Sequence, residues 1–271
     1  MSRYALLAGN GRFPLLALQS ARQLGHEVVA IGIQEEASGD IEQHAARTHW
    51  ISLGQLSRLI EILREERLTE LIMAGQVKHA SIFSSIRPDW RLFKVLASLR
   101  EKNTDALIGA VVKVLEGEGI RVLDSTLLLK PLLAGTGVLA KRRPTSEEER
   151  DIAYGRRIAN ALSAVDVGQS VVICERACVA LEAMEGTDAV LRRAAALVNG
   201  RPLTLVKGSR RRGRLLFDVP VAGLGTIDAM RETNATALAV DAGRTLLLDK
   251  DEMLARAAEA GIAVMGMPVE E

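Results

Sequence analysis

The sequence predicts an α/β protein in two parts, an N-terminal Rossmann-like domain built on a parallel sheet and a C-terminal mixed α/β domain, and three observations carry that expectation. The first half alternates short apolar runs with stretches of helical spacing. The second half does the same around a fresh set of strand-like runs. Between them lies a stretch of prolines, glycines and basic residues with no clean period. At 271 residues the chain is long enough for two modest cores. With 48% apolar, 25% charged and 3% aromatic residues, those cores must come from Leu, Val, Ile and Ala, a composition that excludes a disordered chain.

In order, "YALLAG", "PLLALQSARQLG", "HEVVAIGI", "GQLSRLIEILREERL" and "ELIMAG" read as strand, helix, strand, helix, strand. Such a series gives parallel strands joined by right-handed crossovers. "DWRLFKVLASLR" and "TDALIGAVVKVLEGEG" carry apolar residues every three or four positions and read as helices, and "IRVLDST" returns as a strand. The N-terminal domain is set at 1–132, a linker at 133–147 and the C-terminal domain at 148–271. "SEEERDIAYGRRIANALSA" opens the second part as a helix with Ser146 as its N-cap and acids in its first turn. Strands are expected at "SVVICERACVALEAM", "LTLVKG", "LLFDVPV", "ALAVDAGRTLLLD" and "IAVMGM", with helices at "TDAVLRRAAALV", "TIDAMRET" and "DEMLARAAEAG".

The formal net charge of +1 generates no field that would gather nucleic acid, so no nucleic-acid partner is expected and any anion site must be local. Cys174 and Cys178 lie four apart in one apolar run, where a single strand would put them on one face. With no second pair to complete a zinc site, they read as buried free thiols of a reducing compartment. No apolar stretch approaches a membrane span and no basic segment precedes an apolar signal core, so a cytoplasmic protein is expected.

Gly9, Asn10 and Gly11 sit between a strand and a helix, where backbone can approach a phosphate. Pro14 stands where a dinucleotide fingerprint wants its third glycine, so the match is partial. Glu35 or Glu36, after the second strand, falls near the ribose-binding distance. A second turn, Gly75, Gln76 and Lys78, with His79 beyond, closes the third strand. Two such turns at one sheet edge flank the crevice where ligands of open α/β sheets bind, although each also reads as a plain connecting turn.

In the second half, Gly186 and Thr187 open a helix with Asp188 in its first turn and Glu185 just before. This is either an anion-and-cation site or ordinary capping, with Arg192 placed for an intrahelical pair with Asp188. Asp218 lies in an apolar run ahead of Pro220, Gly223 and Gly225, where an unpaired carboxylate is costly and a hard cation is an economical partner. Lys207 ends an apolar strand and has a fixed base for neutralising a phosphate oxygen. Arg210, Arg211, Arg212 and Arg214 read as a solvated hairpin or as a contact with phosphates or an anionic membrane surface.

The motifs "AGNGRFP", "AGQVKH", "TDAL" at 104–107, "DVGQSVV", "EAMEGTDAVLRR", "LVK" at 205–207 and "DVPVAGLGTI", in that order, make the chain similar nearly end to end to a known family. It resembles the two-domain, metal-dependent UDP-2,3-diacylglucosamine pyrophosphatases of lipid A biosynthesis, which are unrelated to the calcineurin-like type. The resemblance implies hydrolysis of UDP-2,3-diacylglucosamine to UMP and 2,3-diacylglucosamine 1-phosphate (lipid X) with Mg2+. It further implies a UDP-sugar-binding N-terminal domain, a catalytic C-terminal domain, a substrate cleft between them and a protein peripheral to the inner membrane. Asp218 matches the aspartate on which catalysis depends. With the residue reading, Asp218 and Asp188 become the metal candidates. Gly9, Asn10, Gly11, Gly75, Gln76, Lys78 and Asp105 become the substrate-binding candidates of the first part, and Gln169, Gly186, Thr187, Arg192 and Lys207 those of the second. The rival readings are an NAD(P)-dependent oxidoreductase, supported by Gly9, Gly11 and the acid after the second strand, and a non-catalytic nucleotide-binding module.

Overall fold

The computed structural model describes residues 2–75, 77, 87–99, 104–165, 167–209 and 219–269. Contacts divide the chain into two compact units, with the boundary between Leu129 and Lys130.

The first unit holds a sheet of β1 (Arg3–Ala8), β2 (Glu27–Ile33), β3 (Arg47–Ile51), β4 (Glu70–Ala74) and β5 (Arg121–Val122), in the order β3-β2-β1-β4-β5. Every pairing is parallel. The central strands read as unbroken apolar runs because helices cover both faces, and Val28 to Ile31 are all buried. These helices are α1 (Phe13–Gln23), α2 (Leu56–Glu65), α3 (Trp90–Ser98) and α4 (Thr104–Gly117). The buried residues of α2 are Leu56, Leu59, Ile60, Ile62 and Leu63, of which Leu56, Leu59, Ile60 and Leu63 have the spacing of one helical stripe. Asp89 ties two helices together: one carboxylate oxygen caps α3 through Leu92 N at 2.9 Å, and the other accepts Ser57 N of α2 at 2.6 Å.

Strand β3, "RTHWI", was not among the sequence expectations. It pairs only with β2 at the sheet edge, and its first four residues are exposed or half-buried, so no apolar run marks it. Because β1 pairs with β2 on one side and β4 on the other, the chain reverses its direction of winding at β1. The carboxyl ends of β1 and β4 therefore form the crevice edge of this sheet.

The second unit is built on a mixed sheet. Its strands are β6 (Gly137–Val138), β13 (Ala263–Met267), β11 (Ala235–Asp241), β9 (Leu203–Lys207), β7 (Ser170–Cys174) and β8 (Ala177–Leu181), in that order. β13, β11 and β9 are parallel, while β6, β7 and β8 join antiparallel. A small parallel ladder joins β10 (Val221–Ala222) to β12 (Leu246–Leu247). Its helices are α5 (Ser146–Ala164), α6 (Thr187–Val198), α7 (Leu224–Glu232) and α8 (Lys250–Glu259). Val190, Leu191, Ala194 and Val198 of α6 are buried in a core shared with Val172, Leu205, Leu238 and Val264.

Three sequence expectations change here, and a fourth falls mostly outside the described residues. Residues 133–147 form part of the second unit, with β6 paired to β13. Arg142 in their basic cluster makes a two-pronged bond to Glu148, 2.8 Å on each arm, and donates to the carbonyls of Thr236 and Gly261. Helix α5 is capped by Thr145, whose hydroxyl accepts Glu148 N while Glu148 returns a bond to Thr145 N; Ser146 is already inside the helix. Cys174 and Cys178 lie on two strands of a hairpin, turned by Glu175 and Arg176 at φ +49° and +63°. Both are free thiols, and burial pushes each above the ordinary thiol range. The expected strand "LLFDVPV" falls mostly outside the described residues; its described end enters β10. Among the described residues no helix is long and apolar enough to cross a membrane.

Candidate functional site

In the first unit the two glycine turns meet. Gly9 N donates to the Ala74 carbonyl at 2.8 Å, tying the end of β1 to the end of β4. Gly75 has φ +90°, and a Cβ placed on it would stand 2.6 Å from the Asn10 carbonyl oxygen. Only a residue without a side chain lets these two backbones close on each other. Gly11, at φ +94°, has nothing within 4 Å of the same position, so the outer side of the first turn is open. The side-chain amide of Asn10 donates to Glu36 at 3.4 Å, and Glu36 is buried at the end of β2. Of the two acids considered for a ribose, Glu36 is the one beside the turn. Glu35 accepts Leu53 N at 2.9 Å. Pro14 lies in the first turn of α1, where its missing N–H costs nothing.

In the second unit the antiparallel register of β7 and β9 sets Ser170 opposite Lys207. Lys207, 5% exposed, donates from Nζ to Thr187 Oγ1 at 2.6 Å. Thr187 is the first residue of α6, with Gly186 as N-cap at φ +85°. Its hydroxyl donates to Glu182 Oε1 at 3.2 Å and lies 3.1 Å from Ser170 Oγ. A threonine hydroxyl has one hydrogen and two lone pairs, so with its hydrogen on Glu182 it accepts from both Lys207 and Ser170. The outcome is a cation held by a hydroxyl at the start of a twelve-residue helix, where free N–H groups favour anions. Gln169, just before β7, accepts Gly208 N through its carbonyl at 2.8 Å and so ties the start of β7 to the end of β9.

The remaining candidates separate. Asp188 is exposed in the first turn of α6. Arg192 pairs with Glu232 of α7 at 3.3 Å and not with Asp188, which removes the intrahelical pair considered from spacing. Glu185 is occupied by Arg193 at 2.6 Å and by Ala183 N at 2.9 Å. Its own backbone N–H, then that of Ala183 and the Arg193 guanidinium, hold its carboxyl below the usual range. Among the described residues no group of three or more His, Cys, Asp or Glu side chains gathers to hold a metal. Asp218, Gln76, Lys78, His79 and the run Arg210 to Arg214 lie outside the described residues, as does the side chain of Asp105 on α4.

Sequence reasoning missed Glu182 and Ser170. Glu182 follows β8 and reaches forward five residues to Thr187, and its second oxygen, Oε2, is buried with no partner among the described residues. Ser170 joins the cluster only through the β7/β9 register, which one-dimensional spacing does not encode.

The fold and these two sites define a two-unit α/β protein with a backbone-lined turn at a parallel-sheet crevice in one unit and a buried, hydroxyl-held lysine at a strand end in the other. The family model described as the LpxI N-terminal domain matches residues 3–140 and that of the LpxI C-terminal domain residues 135–265, and the chain belongs to the LpxI family. It is 28% identical over 281 residues to UDP-2,3-diacylglucosamine pyrophosphatase LpxI of Caulobacter vibrioides, covering 100% of this chain and 99% of the relative. Among solved structures, a biotin carboxylase domain of a thermophilic 2-oxoglutarate carboxylase matches at TM-score 0.30 and 12% identity, over 63% of this chain and 34% of the other. UDP-glucose 4-epimerase of Bifidobacterium longum matches at 0.29 and 14%, over 54% and 41%. The chain thus spans about a third of the first of these solved chains and about two fifths of the second, and such scores carry no argument about function.

Proposed function

We propose that this protein hydrolyses the pyrophosphate of UDP-2,3-diacylglucosamine to UMP and 2,3-diacylglucosamine 1-phosphate, lipid X, in lipid A biosynthesis. The observation that carries the reading is the match of both LpxI domain models along residues 3–265, together with a full-length relative named for that pyrophosphatase. In the reaction a bond forms between the oxygen of water and one phosphorus, taken from the family resemblance as the one nearer the sugar. The bridging P–O bond breaks and UMP leaves.

The chain's own residues supply binding and charge. The open side of the Gly9 to Gly11 turn, backed by Gly75, offers backbone to the nucleotide sugar. Lys207, directed by Thr187, meets a diphosphate oxygen and stabilises the charge that builds there. Arg192 reaches the substrate only by leaving an exposed pair with Glu232, a contact worth little. Gln76, Lys78, Asp105 and Gln169 complete the proposed binding set, with Asp218 as the catalytic carboxylate.

Of the two carboxylates proposed for Mg2+, Asp188 with Asp218, Asp188 lies among the described residues and is exposed, and no cluster of three or more ligating side chains gathers among those residues. A bound Mg2+ there would supply Lewis-acid polarisation and water activation. Cytoplasmic location and passing contact with the inner-membrane surface belong to the same proposal.

The test resolves the products of UDP-2,3-diacylglucosamine with and without chelator, for the parent and Asp218→Ala. UMP formation lost in the variant by several orders of magnitude is the expected result, each tenfold being about 1.4 kcal/mol of barrier. Near-normal UMP release by Asp218→Ala overturns the residue assignment, and unchanged release with chelator overturns the metal. Tight nicotinamide binding without UMP formation would return the oxidoreductase reading.

A further inference from the structure

We infer that helix α3 is a membrane-docking face that lays Trp90 and Phe93 into the surface of an anionic phospholipid bilayer. The chain has two Trp, two Tyr and four Phe, so aromatic surface is scarce, yet Trp90 and Phe93 stand 66% and 53% exposed on this one helix. They stack on each other, ring centres 6.0 Å apart and planes 13° from parallel, and do not pack into the core. The opposite face of α3 is anchored by the buried Leu92 and Val95, so among the described residues one face of the helix packs and the other is exposed.

Among the described residues of α3, the exposed charge is one-signed. Lys94 sits 4.9 Å over the Trp90 ring, Arg87 is exposed just before the helix, and the outward residues Trp90, Phe93, Lys94, Ala97 and Ser98 include no carboxylate. Asp89 is turned inward as the cap of α3 and α2, and Glu118 is paired by Arg91 and Arg64. An aromatic pair flanked by lysine and arginine suits the headgroup level of a bilayer, where rings bury their apolar body and cations meet anionic lipid. A second copy of the chain would bring the same positive face against itself. The inference rests on the proposed function only in that a diacylated substrate gives such a surface a purpose; its test needs no turnover.

Trp50→Phe leaves Trp90 as the sole tryptophan. With vesicles of phosphatidylethanolamine and phosphatidylglycerol, Trp90 emission should shift to the blue and be quenched by brominated acyl chains, with little response to phosphatidylcholine alone. In the parent chain, Trp90→Ala with Phe93→Ala should weaken sedimentation with anionic vesicles by about tenfold or more, and Lys94→Gln by about fivefold, with thermal stability and UMP release from detergent-dispersed substrate unchanged. Vesicle binding without quenching of Trp90 assigns docking to another surface and overturns the proposal. So does the absence of vesicle binding, or a dimer in solution that the double variant dissociates.

Discussion

Lys207 Nζ lies 2.6 Å from Thr187 Oγ1, joining the end of strand β9 to the first residue of helix α6. This bond helps to set the direction of a buried cation, and it depends on a hydroxyl at position 187. Thr187→Val keeps the volume and removes the hydroxyl, and should lower kcat/KM for UMP release by about 10–100-fold. Thr187→Ser should recover most of that loss. A valine variant as active as the parent would free Lys207 from this dependence.

Gly75 and Asn10 make the corresponding contact in the first unit. Gly75→Ala brings a methyl within 2.6 Å of a backbone oxygen at a positive φ, and should cost about 3 kcal/mol of stability in thermal or urea unfolding. Gly11→Ala faces open space and bears only the conformational penalty, about 1 kcal/mol. Equal effects at the two positions would contradict the close approach of the turns.

Glu66 gives the fold a signature in acid. The His49 ring nitrogen at 2.8 Å, then Arg3 and Arg47, hold its carboxyl down at about 2 from the ordinary 4.5. A carboxyl depressed in the folded state stabilises it above the ordinary value, and that stability drains away as pH falls from 4.5 toward 2. Because Arg3 and Arg47 are themselves partly exposed, about 1–2 kcal/mol is expected at neutral pH. Glu66→Gln should flatten the unfolding free energy across that acid window; a slope matching the parent's would reject the account.

The β7–β8 hairpin carries Glu175 and Arg176 at two positive φ angles, a conformation that asparagine and glycine adopt more readily. Replacing the pair by Asn-Gly should raise stability by about 1 kcal/mol. Arg176 N donates to Asp151 at 2.7 Å through the backbone, so the bond survives the exchange. A fall in melting temperature would show that the side chains hold this turn.

Strands β1, β2 and β4 and helices α2 and α6 were legible because their burial follows a local period, and a period is written in the chain. Strand β3 was not, since an exposed edge strand buries too little to leave an apolar run. The basic stretch around Arg142 reads as a solvated linker until Glu148, Thr236 and Gly261 are brought to it from up to 119 residues away. The Ser170, Thr187, Glu182 and Lys207 cluster shows the same limit.

The sequence by itself determined the α/β class, the two glycine turns, the lysine at a strand end and the family motifs, because backbone conformation, periodicity and residue chemistry are local properties. Tertiary structure decided which of these meet: Gly75 on Asn10, Ser170 opposite Lys207, Arg192 with Glu232. Such meetings are fixed by strand register and sheet order, which arise from packing distant segments into one core and leave no mark on the residues' spacing along the chain.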